Sequence, residues 1–398
     1  MRSPAVAAAL GEPSEPGGIY SFAANTNIVG HAGRTLALVE SGVTCYELTT
    51  ELDTIGVWNG DGRLRGGYTA HPHRDPATGA LHAVSYELGR TEVEYSVIGA
   101  DGRTERTELI DVGGTPLMHD FSLTEDYVVL YDLPVTFEVG DLLPPELPRP
   151  LRTPTRRLLS ALLGRVRVPD PLAARLPRDP ADRRLPYRWN PDRPARVGVL
   201  PRAGRAADVR WFEVPPCYAF HTMNAYQDGA AVVADLVRYD RMFDIDRTGP
   251  GETMPALERW VIDLAAGTVR QQRLDDQGQE FPRFDERRTG HRYRYGYAIS
   301  VGAGLHNGDV LYKHDLCSGS AAARSFGSGM ELGEFVFQPA APDAAEDDGV
   351  LLGFVTDRAA DRTHLAILDA GSLESLAAVQ LPHRVPAGFH GNWLPTDF

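Results

Sequence analysis

Imidazole is the side chain with the widest chemical reach in this sequence, yet its twelve copies show no pair at the spacing of a zincin helix or a zinc finger. Local spacing therefore nominates no metal site. The nearest approach is His71-Pro72-His73, where residues i and i+2 of a strand share a face and both rings can enter one cavity. Cys45, Cys217 and Cys317 lack a Cys-x-x-Cys spacing and cannot all pair, which argues against a zinc ribbon or disulfide framework and for a reducing cytoplasm. Lys313 is the only lysine among 40 basic side chains. It is thus the one candidate for Schiff-base chemistry, but its strand-like setting, Val310-Leu311-Tyr312-Lys313-His314, favours a structural role. No Gly-rich dinucleotide or phosphate loop occurs.

Elements able to position such residues are short strands. Forty glycines, 30 prolines and 34 aromatic residues (15 Tyr, 14 Phe, 5 Trp) favour strands joined by tight turns over long helices. Runs such as Thr35–Val39, His82–Tyr86, Tyr127–Tyr131, Ala230–Ala234 and Val350–Val355 are apolar or alternating, with turn residues close by. Turn signals at Asn59-Gly60-Asp61-Gly62, Asp101-Gly102, Asn307-Gly308-Asp309 and Asp348-Gly349 recur at intervals suited to four-stranded blades, so an all-β propeller is expected over a sandwich. Residues 1–17 read as a disordered leader, and 18–398 as one domain.

The formal charge of −14 argues against a nucleic-acid partner, because phosphate neutralisation needs a basic surface. One Pro/Arg-rich insertion, 140–196, departs from this balance: between Glu146 and Arg196 stand 13 arginines against 5 acidic residues. Within it, Thr155–Val166 places Leu158, Leu159, Leu162 and Leu163 at helical spacing beside Arg156, Arg157 and Arg165. The pattern suits either a short helix packed on its own protein or a peripheral membrane contact. No stretch approaches the roughly 20 apolar residues needed to cross a bilayer, and Pro4–Leu10 is too short an apolar run for a signal peptide.

Four histidine-centred stretches resemble, in order, the signatures of the carotenoid cleavage oxygenase family, which includes the retinal pigment epithelial membrane protein. They are TAHPHRDPATGALHAVSYE around His71, MHDFSLTEDYVVLYDLPV around His119, FHTMNAYQDG around His221 and GFHGNWLP around His390. The likeness runs from NTNIVGHAGRTLALVE at Asn25 to the C-terminus. It implies a seven-bladed β-propeller with a helical or loop insertion above the metal, and one Fe(II) per chain held by His71, His119, His221 and His390. Glu40, Glu280 and Glu334 match the carboxylates that orient those rings.

The implied reaction is cleavage of a conjugated C=C bond by O2, giving two carbonyl products from a lipophilic polyene, a carotenoid or apocarotenoid. A stilbene-cleaving branch of the family carries a lysine immediately before the first of these glutamates; here Val39 stands there. Segments resembling RNGPNP and WFDGDGM, which family members carry ahead of this region, do not occur. A ring incomplete at its N-terminus is therefore one expectation, and a carotenoid-binding propeller without catalysis its functional counterpart. Asn224 and Tyr226 are expected to fix the backbone around His221. Phe121, Phe220, Phe389 and Trp393 are candidates for an apolar tunnel or for the core, and His73 for a structural neighbour.

Overall fold

The computed structural model describes residues 24–64, 67–137, 147–162, 187–247, 252–302 and 306–395, together with 140, 143 and 185. The expected leader, 1–17, lies outside them. Strand follows strand, and all the larger sheets are antiparallel and four-stranded. The first comprises Asn27–His31, Arg34–Leu38, Cys45–Leu48 and Thr54–Trp58, and the second His73–Arg74, Leu81–Tyr86, Glu92–Ile98 and Thr104–Asp111. The third is built from Phe121–Leu123, Tyr127–Asp132, Arg196–Pro201 and Arg210–Glu213. Three more begin at Tyr218–Asp228, Gln279–Phe284 and Met330–Pro339, and each continues as an up-and-down meander.

These sheets are the blades of a β-propeller. The opening strands of the third to sixth blades lie beside one another, which turns the start of each blade toward a common middle. Because both faces of a blade's inner part are covered by neighbours, its inner strands read as continuous apolar runs, Val128 to Tyr131 all being buried, whereas an outermost strand such as Ser375–Gln380 is exposed throughout. Six four-stranded blades form among the described residues, not the seven that the resemblance implied, and an incomplete N-terminal edge has no support in the fold. The extra strands Val135–Phe137 and Tyr187–Trp189 pair with each other, and Val135–Phe137 also bridges the segment Thr115–Leu117 on its other side.

The insertion leaves the third blade after Asp132 and returns at Arg196. Asp132 is completely buried and accepts from Arg193 Nε at 3.1 Å and Arg196 Nε at 2.8 Å. Two arginines of the basic island thus neutralise an internal carboxylate and pin both ends of the insertion. A helix, α1 (Arg149–Leu162), starts six residues ahead of the expected Thr155. Pro150 in its first turn loses no hydrogen bond, whereas Pro154 lies inside it. Leu151 and Leu158 are exposed on α1; Leu159 and Leu162 belong to the helix, and Leu163 lies outside the described residues. The turn signal at Asn307-Gly308-Asp309 instead opens a strand, Asn307–Asp315. Lys313 is structural: its Nζ meets Asp347 at 2.6 Å and the Gly371 carbonyl at 2.8 Å.

Candidate metal centre

Four blades' worth of chain converge where the opening strands meet. His71 precedes the strand His73–Arg74, and His119 precedes Phe121–Leu123, so both leave a loop just before a ladder begins. His221 lies within Tyr218–Asp228, where the register slips between Ala219 and Thr222. Such a bulge breaks strict alternation and re-aims a side chain. His390 follows the sixth blade on a segment without regular structure. One ligand atom from each of these four imidazoles falls within 4.8 Å of all the others. His119 Nε2 lies 3.0 Å from His71 Nε2 and 3.2 Å from His221 Nε2.

Carboxylates sit behind three of the rings. His221 Nδ1 donates to Glu280 at 2.6 Å, and His390 Nδ1 to Glu334 at 3.0 Å. Glu40 Oε2 stands 2.7 Å from His119 Nδ1, in ion-pair contact but without hydrogen-bond alignment. Two of these glutamates also rest on bulges, between Glu280 and Arg283 and between Leu332 and Phe335. Phe281, next to Glu280, has φ 53°, a left-handed conformation that costs a non-glycine residue about 1 kcal/mol or more. Its own N–H bonds to Glu280 at 2.7 Å, which helps to hold that conformation.

Electrostatics follow from this packing. Burial and the three neighbouring imidazoles push His71 well below its ordinary value. Burial would also lower His221, but the adjacent Glu280 carboxylate outweighs it and raises that ring. Burial lowers His390 despite Glu334. Burial opposes the charge on Glu334, yet Arg283, His390 and the Gly391 N–H hold its carboxyl down to about 2.

The donor set fits a soft-to-borderline divalent cation. A ring whose Nδ1–H is committed to a carboxylate presents a bare Nε2 lone pair to the centre. Imidazole nitrogens about 3 Å apart repel one another unless a cation or protons stand between them, and an all-imidazole set suits Fe, Zn, Cu or Ni rather than Mg or Ca.

Around the centre, a cavity of about 440 Å³ is lined by His71, His221 and His390 on one side and by polar groups including Asp120, Arg283 and Glu286. Aromatic rings cover other approaches: Phe220 meets His119 edge-on at 4.9 Å, and Phe281 lies 5.4 Å from both His221 and His390. Of the other tunnel candidates, Phe121 is fully buried against His73, while Phe389 and Trp393 are exposed. Asn224 does not bond to the backbone around His221; it donates to the Arg288 and His291 carbonyls and accepts from Gly290 N–H, tying the His221 strand to the fifth blade. His31, His82 and His314 bond to Gly99, Tyr95 and Gln279 and serve the scaffold. Phe281, Arg283 and Asp120 were not foreseen as site residues. The signal available for each was adjacency, since Phe281 and Asp120 directly follow Glu280 and His119.

Comparison with known proteins agrees with this geometry. The family described as retinal pigment epithelial membrane protein matches residues 9–395. A carotenoid cleavage oxygenase of Mycobacterium tuberculosis is 53% identical over 414 aligned residues, which cover 100% of this chain and 83% of that one. Among solved structures, the lignostilbene dioxygenase of Pseudomonas brassicacearum matches with TM-score 0.78 and 28% identity over 94% of this chain and 76% of its own. A cobalt-substituted Synechocystis apocarotenoid oxygenase matches with TM-score 0.75 and 28% identity, over 93% and 74%. With the blades, the four converging imidazoles and a match spanning nearly its whole length, the chain belongs to the retinal pigment epithelial membrane protein family and is an enzyme of the carotenoid cleavage oxygenase kind.

Proposed function

We propose that His71, His119, His221 and His390 hold one Fe(II) per chain, and that the enzyme cleaves a conjugated double bond of a carotenoid or apocarotenoid. One alkene and one O2 give two carbonyl products, so atoms balance without an external reductant. The observation that carries this reading is the convergence of one nitrogen from each of four imidazoles, with carboxylates at the Nδ1 side of three of the rings. Ferrous iron, when bound, supplies the one-electron chemistry that lets O2 react with a closed-shell alkene. The chain supplies the rest. Neutral imidazoles leave the cation's charge undiminished, Glu40, Glu280 and Glu334 stand behind three of the rings, and Phe220 and Phe281 pack apolar rings against His119 and His221.

Val39, ahead of Glu40, gives no cation for a phenol oxygen, which favours a polyene; the close match to a lignostilbene dioxygenase supports a stilbene as the second reading. Anaerobic loading with Fe(II), followed by product analysis across carotenoids, apocarotenoids and stilbenes, decides between them. Paired carbonyl products are expected from a polyene. Products from stilbene alone would move the assignment to the second reading, and bound pigment without any product would overturn both.

For a substrate dissolved in lipid, we also propose that the single domain 18–398 meets the cytoplasmic membrane surface peripherally through α1. Exposed Leu151 and Leu158 with Arg149, Arg152 and Arg157 combine apolar burial with attraction to anionic headgroups. Among the described residues no helix is long and apolar enough to cross a membrane. Deleting 149–162 is expected to cut binding to anionic liposomes; unchanged binding would end the proposal.

A further inference from the structure

Asp120 occupies a position that the reaction scheme does not use. It is buried, stands beside His119 in the chain, and lines the cavity next to the centre. Its two oxygens face donors from two other blades. Oδ1 accepts from His73 Nε2 at 3.0 Å and from Phe121 N–H at 2.7 Å; Oδ2 accepts from Thr222 N–H at 2.9 Å. The Thr222 hydroxyl, 3.1 Å from Oδ2 and 3.0 Å from the Phe121 carbonyl, gives its single proton to one of the two.

Each partner is a near neighbour of a converging histidine. His73 follows His71 by two residues, Asp120 follows His119 directly, and Thr222 follows His221 directly. One carboxylate therefore fastens together the backbone stretches that carry three of the four imidazoles. Those stretches come from three different blades, and the Thr222 contact lies at the bulge that aims His221. His71 is also the imidazole with no carboxylate behind its ring among the described contacts. The segment that carries it is fastened instead through His73.

We propose that Asp120 is a positioning residue for the metal centre, a three-way clamp that sets the mutual placement of His71, His119 and His221. This rests on the reading that those histidines bind the metal. The chemistry of the clamp demands a carboxylate. Every group it meets is a donor, so both oxygens must accept, and an amide at the same place would set its NH2 against the N–H of either Phe121 or Thr222. Asparagine, equal in shape, is thus a sharp test of acceptor capacity at constant volume.

The experiment compares wild type, Asp120→Asn and His73→Phe. Fold is checked by urea denaturation, Co(II) and Fe(II) binding by equilibrium dialysis under anaerobic conditions, and centre geometry by the ligand-field absorption of the Co(II)-loaded protein. Asp120→Asn is expected to bind either ion about 10–100-fold more weakly and to shift and broaden the Co(II) bands. His73→Phe keeps the ring contact with Phe121 but cuts one arm of the clamp, and is expected to shift the same bands by less. A folded Asp120→Asn with wild-type affinity and spectrum would overturn the proposal. If that variant does not fold, a folded His73→Phe with unchanged affinity and spectrum would overturn it equally. Wild-type protein that binds neither ion would instead sink the metal-binding reading beneath it.

Discussion

A His221→Ala variant is expected to lose the iron proposed for the centre and a large part of its stability in one step. The ring does two jobs: its Nε2 faces His119 at 3.2 Å, and its Nδ1–H satisfies Glu280 at 2.6 Å. Glu280 is only 2% exposed. With the imidazole gone, that carboxylate keeps the Tyr239 hydroxyl and the Phe281 N–H but loses the one partner able to carry positive charge. Breaking a buried pair from one side costs about 3–5 kcal/mol. Metal analysis should fall from near-stoichiometric to background, and the urea midpoint should drop with an unchanged slope. A variant that kept its iron would remove His221 from the centre. Pairing this substitution with Glu280→Ala separates the two losses, since a stability cost that comes from the stranded carboxylate should largely disappear in the double variant.

How much of this could be read before folding depends on what sets each feature. Strand runs such as Tyr127–Tyr131 were legible because apolar residues and turn formers act locally. The four imidazoles were legible only through their surrounding motifs. His71 and His119 are 48 residues apart and His119 and His221 a further 102, so no local period could join them. Register was not legible at all. The slips that aim His221, Glu280 and Glu334 arise from how one strand meets its neighbour, and Phe281 adopts a left-handed backbone that its residue type disfavours.

The partnership of each glutamate with its histidine was closed to sequence reasoning for the same reason. Asp120 looked like an ordinary residue after a ligand, because its three donors come from three places in the chain. The basic island was legible only in part. Its charge suggested a solvated or lipid-facing surface, whereas Arg193 and Arg196 are consumed by the buried Asp132. Charge counts along a chain cannot distinguish an exposed arginine from one that completes an internal pair.

Glu334 offers the second large effect, because the histidine it supports has no strand of its own. His390 rides on the segment after the sixth blade, held by a short set of contacts. Glu334 accepts from His390 Nδ1 and from Gly391 N–H, both at 3.0 Å; the His390 N–H reaches the Thr26 carbonyl at 3.1 Å; Asn392 bonds to Asn27 and Ile28 of the first blade. Arg283 joins the two sides, donating to Asn392 at 2.8 Å and standing 3.5 Å from Glu334. Replacing Glu334 with alanine removes both acceptors at once. The expected cost is about 3 kcal/mol, the lower end for a broken buried pair, because Glu286 still neutralises Arg283. Metal affinity should fall at least about 10–100-fold as His390 loses its orientation. Glu334→Gln is the milder case: its NH2 must face either the His390 Nδ1–H or the Gly391 N–H, so one bond survives. Acid should reproduce the alanine phenotype. A carboxyl held down to about 2, against 4.5 when unperturbed, contributes its full stabilisation above about 4.5 and loses it as the pH falls toward 2. Hydrogen exchange at residues 388–393 measures the release directly. Protection there that persists in Glu334→Ala, with iron still bound, would show that the segment is docked by Asn392 and Thr26 rather than by this carboxylate.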